Sequence, residues 1–196
     1  MARFGSRIAL PVLALALIGP GAAHASFHTM VVNEVMLSTG GNANAQFVEL
    51  VDISDEPFPN DFAPYKLVVF DGAGVKVGAH QITTATLQGR NNTVPFLIST
   101  AAADSALASA GDEVLDVALP SPGQACFTNG AAESKVSCVA WGCVATPVGG
   151  ATNFQAPADG QSLQRQGAAS STFHVAAPTA KTANVAGTAA GACSAG

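Results

Sequence analysis

Charge, aromatic rings and histidine are all scarce in this chain. Only 11% of its 196 residues are charged, 6% are aromatic, and there are 4 histidines. The 8 basic residues form no cluster and are outnumbered by 13 acids, so there is little here to neutralise a phosphate backbone, and nucleic acid is excluded as a direct partner. Neither an H-E-x-x-H helix nor a G-x-S-x-G elbow is present, since Gly160-Gln161-Ser162-Leu163-Gln164 lacks the closing glycine. Without any C-x-x-C pair, the four cysteines also lack the spacing of a zinc site. An apolar run of about 20 residues, as a membrane span requires, is missing too.

What is present begins with an export signal. Arg3 and Arg7 form a positive end, residues 8–18 form an apolar run broken only by Pro11, and Ala23-His24-Ala25 places small residues where a signal peptidase inspects them. Cleavage is expected after residue 25, and a secreted or periplasmic location follows. The loss of Arg3 and Arg7 leaves six basic residues against thirteen acids, a net charge of −7 on residues 26–196. Residues 26–184 read as one domain, followed by an Ala- and Gly-rich tail at 185–196.

In an oxidising compartment the even set Cys126, Cys138, Cys143 and Cys193 reads as two disulfides, for which three pairings exist. Local geometry favours one of them. Residues 124–128 and 136–140 read as strands around a turn at Asn129-Gly130, and a register placing Thr128 opposite Val136 also places Cys126 opposite Cys138. Opposed residues of a non-hydrogen-bonded pair lie about 4.5 Å apart at Cα, within disulfide reach. Cys143 is then left to hold Cys193 and the tail.

Residues 31–37, 47–53, 65–71, 75–82 and 94–100 are short, rich in β-branched and aromatic side chains, and bounded by Gly, Asn, Pro or Asp. Each predicts a strand. Asp71-Gly72-Ala73-Gly74 predicts a hairpin turn between two of them. In 47–53, Val48 and Leu50 share one face while Phe47, Glu49, Val51 and Ile53 share the other, as expected of a strand covered on both sides. Further strands are expected at 112–119, where Leu115, Val117 and Leu119 share a face, and near 162–166 and 173–175. Residues 101–110 allow a turn or a short helix, and 146–160 a loop. The expected fold is an all-β, immunoglobulin-like antiparallel β-sandwich, with a jelly roll as the alternative.

Three segments resemble the lamin-tail domain of exported bacterial proteins. They are Val31-Val32-Asn33-Glu34-Val35 with Phe47-Val48-Glu49-Leu50; Cys138-Val139-Ala140-Trp141-Gly142; and Gly160-Gln161-Ser162-Leu163-Gln164-Arg165 with Phe173 and Pro178-Thr179-Ala180-Lys181-Thr182-Ala183-Asn184. The resemblance implies an immunoglobulin-like sandwich and a non-catalytic binding or structural module whose partner is a protein or an envelope or extracellular polymer. It implies no cofactor and no catalytic set, because function belongs to sites and this family carries no transferable one.

Glu34, Glu49, Trp141 and Arg165 are the motif residues with chemistry to offer. Glu49 and Glu34 invite either backbone hydrogen bonding or ligand contact. Arg165 suits an acid, a sheet edge or a carboxylate ligand, and Trp141 suits the core or a sugar-stacking platform. Asp52, Asp55, Glu56 and Asp61 gather oxygen ligands that could serve calcium, although Pro57 and Pro59 interrupt them, no EF-hand spacing is present and a solvated acidic turn is the favoured reading. Calcium or carbohydrate binding is therefore one alternative function. A small secreted hydrolase is another, in which His80 or His174 would serve as base.

Overall fold

Alternating apolar residues build two layers of strands that close on one interior. The computed structural model describes residues 29–53, 65–83, 94–167 and 169–193. The export signal therefore lies outside the described residues. The order is β1 (Met30–Met36), β2 (Phe47–Asp52), β3 (Tyr65–Asp71), β4 (Lys76–Gln81), β5 (Phe96–Ser99), α1 (Ala101–Leu107), β6 (Glu113–Val114), β7 (Gly123–Asn129), β8 (Ser134–Trp141), β9 (Thr152–Phe154), β10 (Ser162–Arg165), β11 (Phe173–Ala176) and β12 (Thr188–Ala189). One sheet runs β12-β11-β10-β1-β2-β5-β6, and the other runs β4-β3-β7-β8-β9. The described residues form an all-β sandwich with one short helix.

Between the layers sit Val32, Val35, Val48 and Leu50 from the first sheet and Leu67, Val69, Phe127, Val139 and Trp141 from the second. Every residue of β2 is buried, as its two-faced apolar pattern requires. Val48 and Leu50 join the central core, whereas Phe47 packs on the outer face with Met36, Leu97 and Ala103 of α1. Thr100 starts the helix by accepting a hydrogen bond from the Ala103 amide at 3.2 Å. The Trp141 ring has no exposure and its Nε1 donates to the Pro120 carbonyl at 2.7 Å. That makes it core and removes the sugar-stacking role.

Four expectations need correction. The sheets are mixed, because β5 with β6 and β8 with β9 pair in parallel. Only Glu113–Val114 of residues 112–119 is a strand. Leu115 and Leu119 are buried as their alternation demands, but the Gln46 side-chain amide replaces a strand partner, accepting from Leu119 N and donating to Leu119 O, both at 2.9 Å. Apolar alternation reports which side faces the core, and a side chain can satisfy the backbone instead of a ladder. Residues 146–160 contain β9, and the tail at 185–196 adds β12 to the edge of the first sheet, since alanine and glycine donate backbone hydrogen bonds as well as any residue does.

Both expected disulfides form. Cys126 lies opposite Cys138 with Cα atoms 4.1 Å apart, and Cys143 joins Cys193 across a separation of 50 residues. The hairpin register slips once, between Phe127 and Thr128, so that Thr128 faces Lys135 and not Val136. The slip falls beyond the cysteines and leaves their pairing intact. Chain-entropy reasoning assigns the Cys143–Cys193 bridge about 4 kcal/mol. Replacing both cysteines by serine should lower the unfolding free energy by about that amount in denaturant titration; an unchanged midpoint would mean that the tail is held by its hydrogen bonds alone.

Candidate functional site

The outer face of the first sheet carries its most unusual chemistry, a polar floor with no exposure to solvent. Antiparallel pairing sets Glu34 of β1 beside both Gln164 of β10 and Glu49 of β2. A bulge between Val32 and Glu34 inserts Asn33, and beyond it the strand resumes with Glu34 turned outward. Glu34, Glu49, Ser162 and Gln164 all have zero exposure.

Residues 177–185 form a strap across this floor. Glu34 Oε1 accepts from Ser162 Oγ at 2.6 Å, from Gln164 Nε2 at 3.3 Å and from the Thr179 amide at 2.9 Å, while Oε2 accepts from Thr179 Oγ1 at 2.7 Å. Glu49 accepts from Asn33 Nδ2 at 2.8 Å and from the Lys181 amide at 2.7 Å. Gln164 donates to the Ala177 carbonyl at 2.7 Å and accepts from the Val185 amide at 3.1 Å. Asn184 Nδ2 donates to Asn33 Oδ1 at 3.1 Å and to the Arg165 carbonyl at 2.8 Å. Lys181 then reaches over the edge to Asp112, its Nζ 2.8 Å from Oδ1.

Two carboxyl groups side by side in a dry place resist ionisation. Burial pushes Glu49 up to about 8, and the neighbouring Glu34 carboxylate adds to the shift. Burial also raises Glu34, against the pull of its donors Ser162, Thr179 and Gln164. Perturbed carboxyls of this kind mark either a functional site or a structural network. Here the donors aimed at them belong to the chain's own sheet, at Asn33, Ser162 and Gln164, and to its strap, at Thr179 and Lys181, and no surface of either carboxyl is left for a substrate to touch.

Arg165 stands on the opposite face of β10, where it meets no acid among the described residues. Its Nε donates to the Val32 carbonyl at 2.8 Å, Nη1 to the Ser170 carbonyl and Nη2 to Ser137 Oγ at 3.3 Å, and its guanidinium lies 4.8 Å from the Phe173 ring centroid. Burial lowers its value to about 10, which leaves it charged at neutral pH. Ser137 belongs to β8 and also accepts from the Val32 amide at 3.1 Å, so Arg165 ties one sheet to the other.

No protein-family model, curated protein or solved structure matches this chain. Its site is therefore read from its own geometry. Of the residues that the sequence singled out, Glu34 and Glu49 meet in the polar floor, Arg165 lies at the inter-sheet seam and Trp141 lies in the core. Asp52 is buried in β2 opposite Met30; Asp55, Glu56 and Asp61 lie outside the described residues. His80 and His174 are buried in different sheets. Among the described residues no group of three or more His, Cys, Asp or Glu is arranged to hold a metal ion.

Beside the strap, a cavity of about 310 Å³ is lined by Gly167, His174, Val185 and Gly187 among others. His174 Nε2 is buried there without a hydrogen-bond partner. That atom has almost no accessible surface, so a molecule occupying the cavity would not reach it.

Proposed function

We propose that this chain is an exported, non-catalytic module related to the lamin-tail domain, with a binding or structural task at the cell envelope or outside the cell. The observation that carries this reading is the strap. The residues that resemble the family, Asn33, Glu34, Glu49, Gln164, Thr179, Lys181 and Asn184, come from distant stretches of chain and join in one hydrogen-bonded network. They are used up inside the fold, holding a strap to a sheet, and are not presented to a substrate. An immunoglobulin-like strand arrangement belongs to the same proposal. Two closed disulfides suit the oxidising compartment to which the leader points. Among the described residues no helix is long and apolar enough to cross a membrane.

Expression in a bacterial host with the natural leader tests the reading. The expected product is recovered from periplasm or medium, begins at Ser26 and carries both disulfides in non-reducing peptide mapping; an uncleaved, reduced chain in the cytoplasm would overturn it. A panel of esterase, phosphatase and glycosidase substrates supplies the second arm. Turnover that disappears in His80→Ala or His174→Ala would make the protein a hydrolase instead.

A further inference from the structure

At the edge of the sandwich where β4 faces β6, one imidazole holds two carboxylates. His80 projects from β4 toward the interior, since it sits opposite the core residue Leu67. Its Nε2 is 2.6 Å from Glu113 Oε2 and its Nδ1 is 2.9 Å from Asp116 Oδ1. Carboxylates only accept, so both ring nitrogens must donate, and the ring is an imidazolium. Among the described residues, Glu113 and Asp116 are the charged groups that face it.

The two carboxylates differ in their surroundings. The Glu113 side chain is only 7% exposed, whereas that of Asp116 is 65% exposed. Glu113 Oε1 also accepts from the Thr83 amide at 2.8 Å and from Thr83 Oγ1. Residues 113–119 wall off this edge, and their far end is fastened by Gln46 to Leu119. Between the two fastenings Val117 presses on Gly78, so closely that a Cβ at Gly78 would lie 2.8 Å from Val117 Cγ2.

We propose that His80 is a pH-operated clasp that pins residues 115–118 over the open edge of the sandwich and releases them when its ring becomes neutral. A neutral imidazole keeps one N–H and presents a lone pair on the other nitrogen. It retains the shorter contact with buried Glu113 and turns a lone pair toward Asp116, which swings into water at little cost. Val117 then loses the tether that holds it on Gly78, and the inner edge of β4 is uncovered.

The direction with pH follows from both partners. Burial opposes the charged ring, but its hydrogen bonds and attraction to Glu113 and Asp116 outweigh that and hold His80 above its ordinary value. Burial likewise opposes Glu113 ionisation, and the bonds to His80 and Thr83 prevail to hold it below its ordinary value. The clasp is closed from acid pH, above the Glu113 titration, up to the raised His80 titration, and it opens above that.

Nitrogen-15 NMR of the His80 ring across pH 5 to 9, together with backbone hydrogen exchange corrected for its intrinsic pH dependence, tests the proposal. The expected result is a doubly protonated ring at pH 6, with protection at residues 115–118 falling about tenfold as the ring titrates. Asp116→Asn should move the His80 midpoint down, and His80→Gln should make protection at 115–118 independent of pH. A neutral His80 ring at pH 6 would overturn the proposal, as would protection that ignores the His80 titration in both the parent and Asp116→Asn. The Asp116 variant alters an exposed side chain, so the test survives if His80→Gln fails to fold.

Discussion

Raising the pH from about 4.5 to above 8 should cost this protein about 5 kcal/mol of folding free energy through Glu49 alone. In the unfolded chain Glu49 loses its proton near the ordinary value of 4.5; in the folded protein it keeps that proton until about 8. Because the folded value is the higher, the folded state binds the extra proton throughout this window and its stability falls as the proton becomes harder to supply. The difference of about 3.5 units, at 1.36 kcal/mol each, sets the size. Glu34 and His80 are also raised and act in the same direction. Guanidinium unfolding at pH 5, 7 and 9 measures the loss, and Glu49→Gln should flatten most of the profile. Stability that is level or rising between pH 5 and pH 9 would refute the buried neutral carboxyl.

Glu34→Ala should be the most damaging single change in the polar floor, with a loss of about 3 kcal/mol or more. Removal of the carboxylate leaves Ser162 Oγ, Gln164 Nε2 and the amide and hydroxyl of Thr179 without the acceptor they share. Buried donors that lose a partner bear their full desolvation cost. The strap should detach first, so exchange at the Thr179 and Lys181 amides should quicken before the central strands open. Glu34→Gln is the informative control. It keeps one acceptor oxygen, should lose about 1 kcal/mol, and should bring the Glu49 titration down by removing the adjacent charge while burial still holds it above the ordinary value. If Glu34→Ala left the Thr179 and Lys181 amides fully protected, the strap would be held by something other than this carboxylate.

The cysteine hairpin and the polar floor show how differently two features can be read from one sequence. Cys126 and Cys138 lie on neighbouring strands of a hairpin, so a period of two and a short turn are enough to bring them together. A slip in register beyond Phe127 could be neither seen nor excluded from the pattern, because a bulge depends on how the strand ends meet their neighbours. Glu34 and Thr179, in contrast, are 145 positions apart. Their motifs were visible as candidates, yet nothing in either stretch says that one lies above the other. His80, Glu113 and Asp116 left even less trace, since single polar residues in separate segments have no periodicity to betray them.

Residue order alone placed the longer strands, the side of each that faces the interior and the Cys126–Cys138 pair, because these depend on neighbours two positions apart or on one short turn, and the Cys143–Cys193 pair followed by elimination. Only the tertiary structure decided that two glutamates would share a dry floor beneath a C-terminal strap, that Arg165 would join the sheets with no acid against it among the described residues, and that one imidazole would hold two carboxylates at an edge. Each of these rests on where distant chain crosses, and burial there shifts the very proton equilibria that give the residues their character.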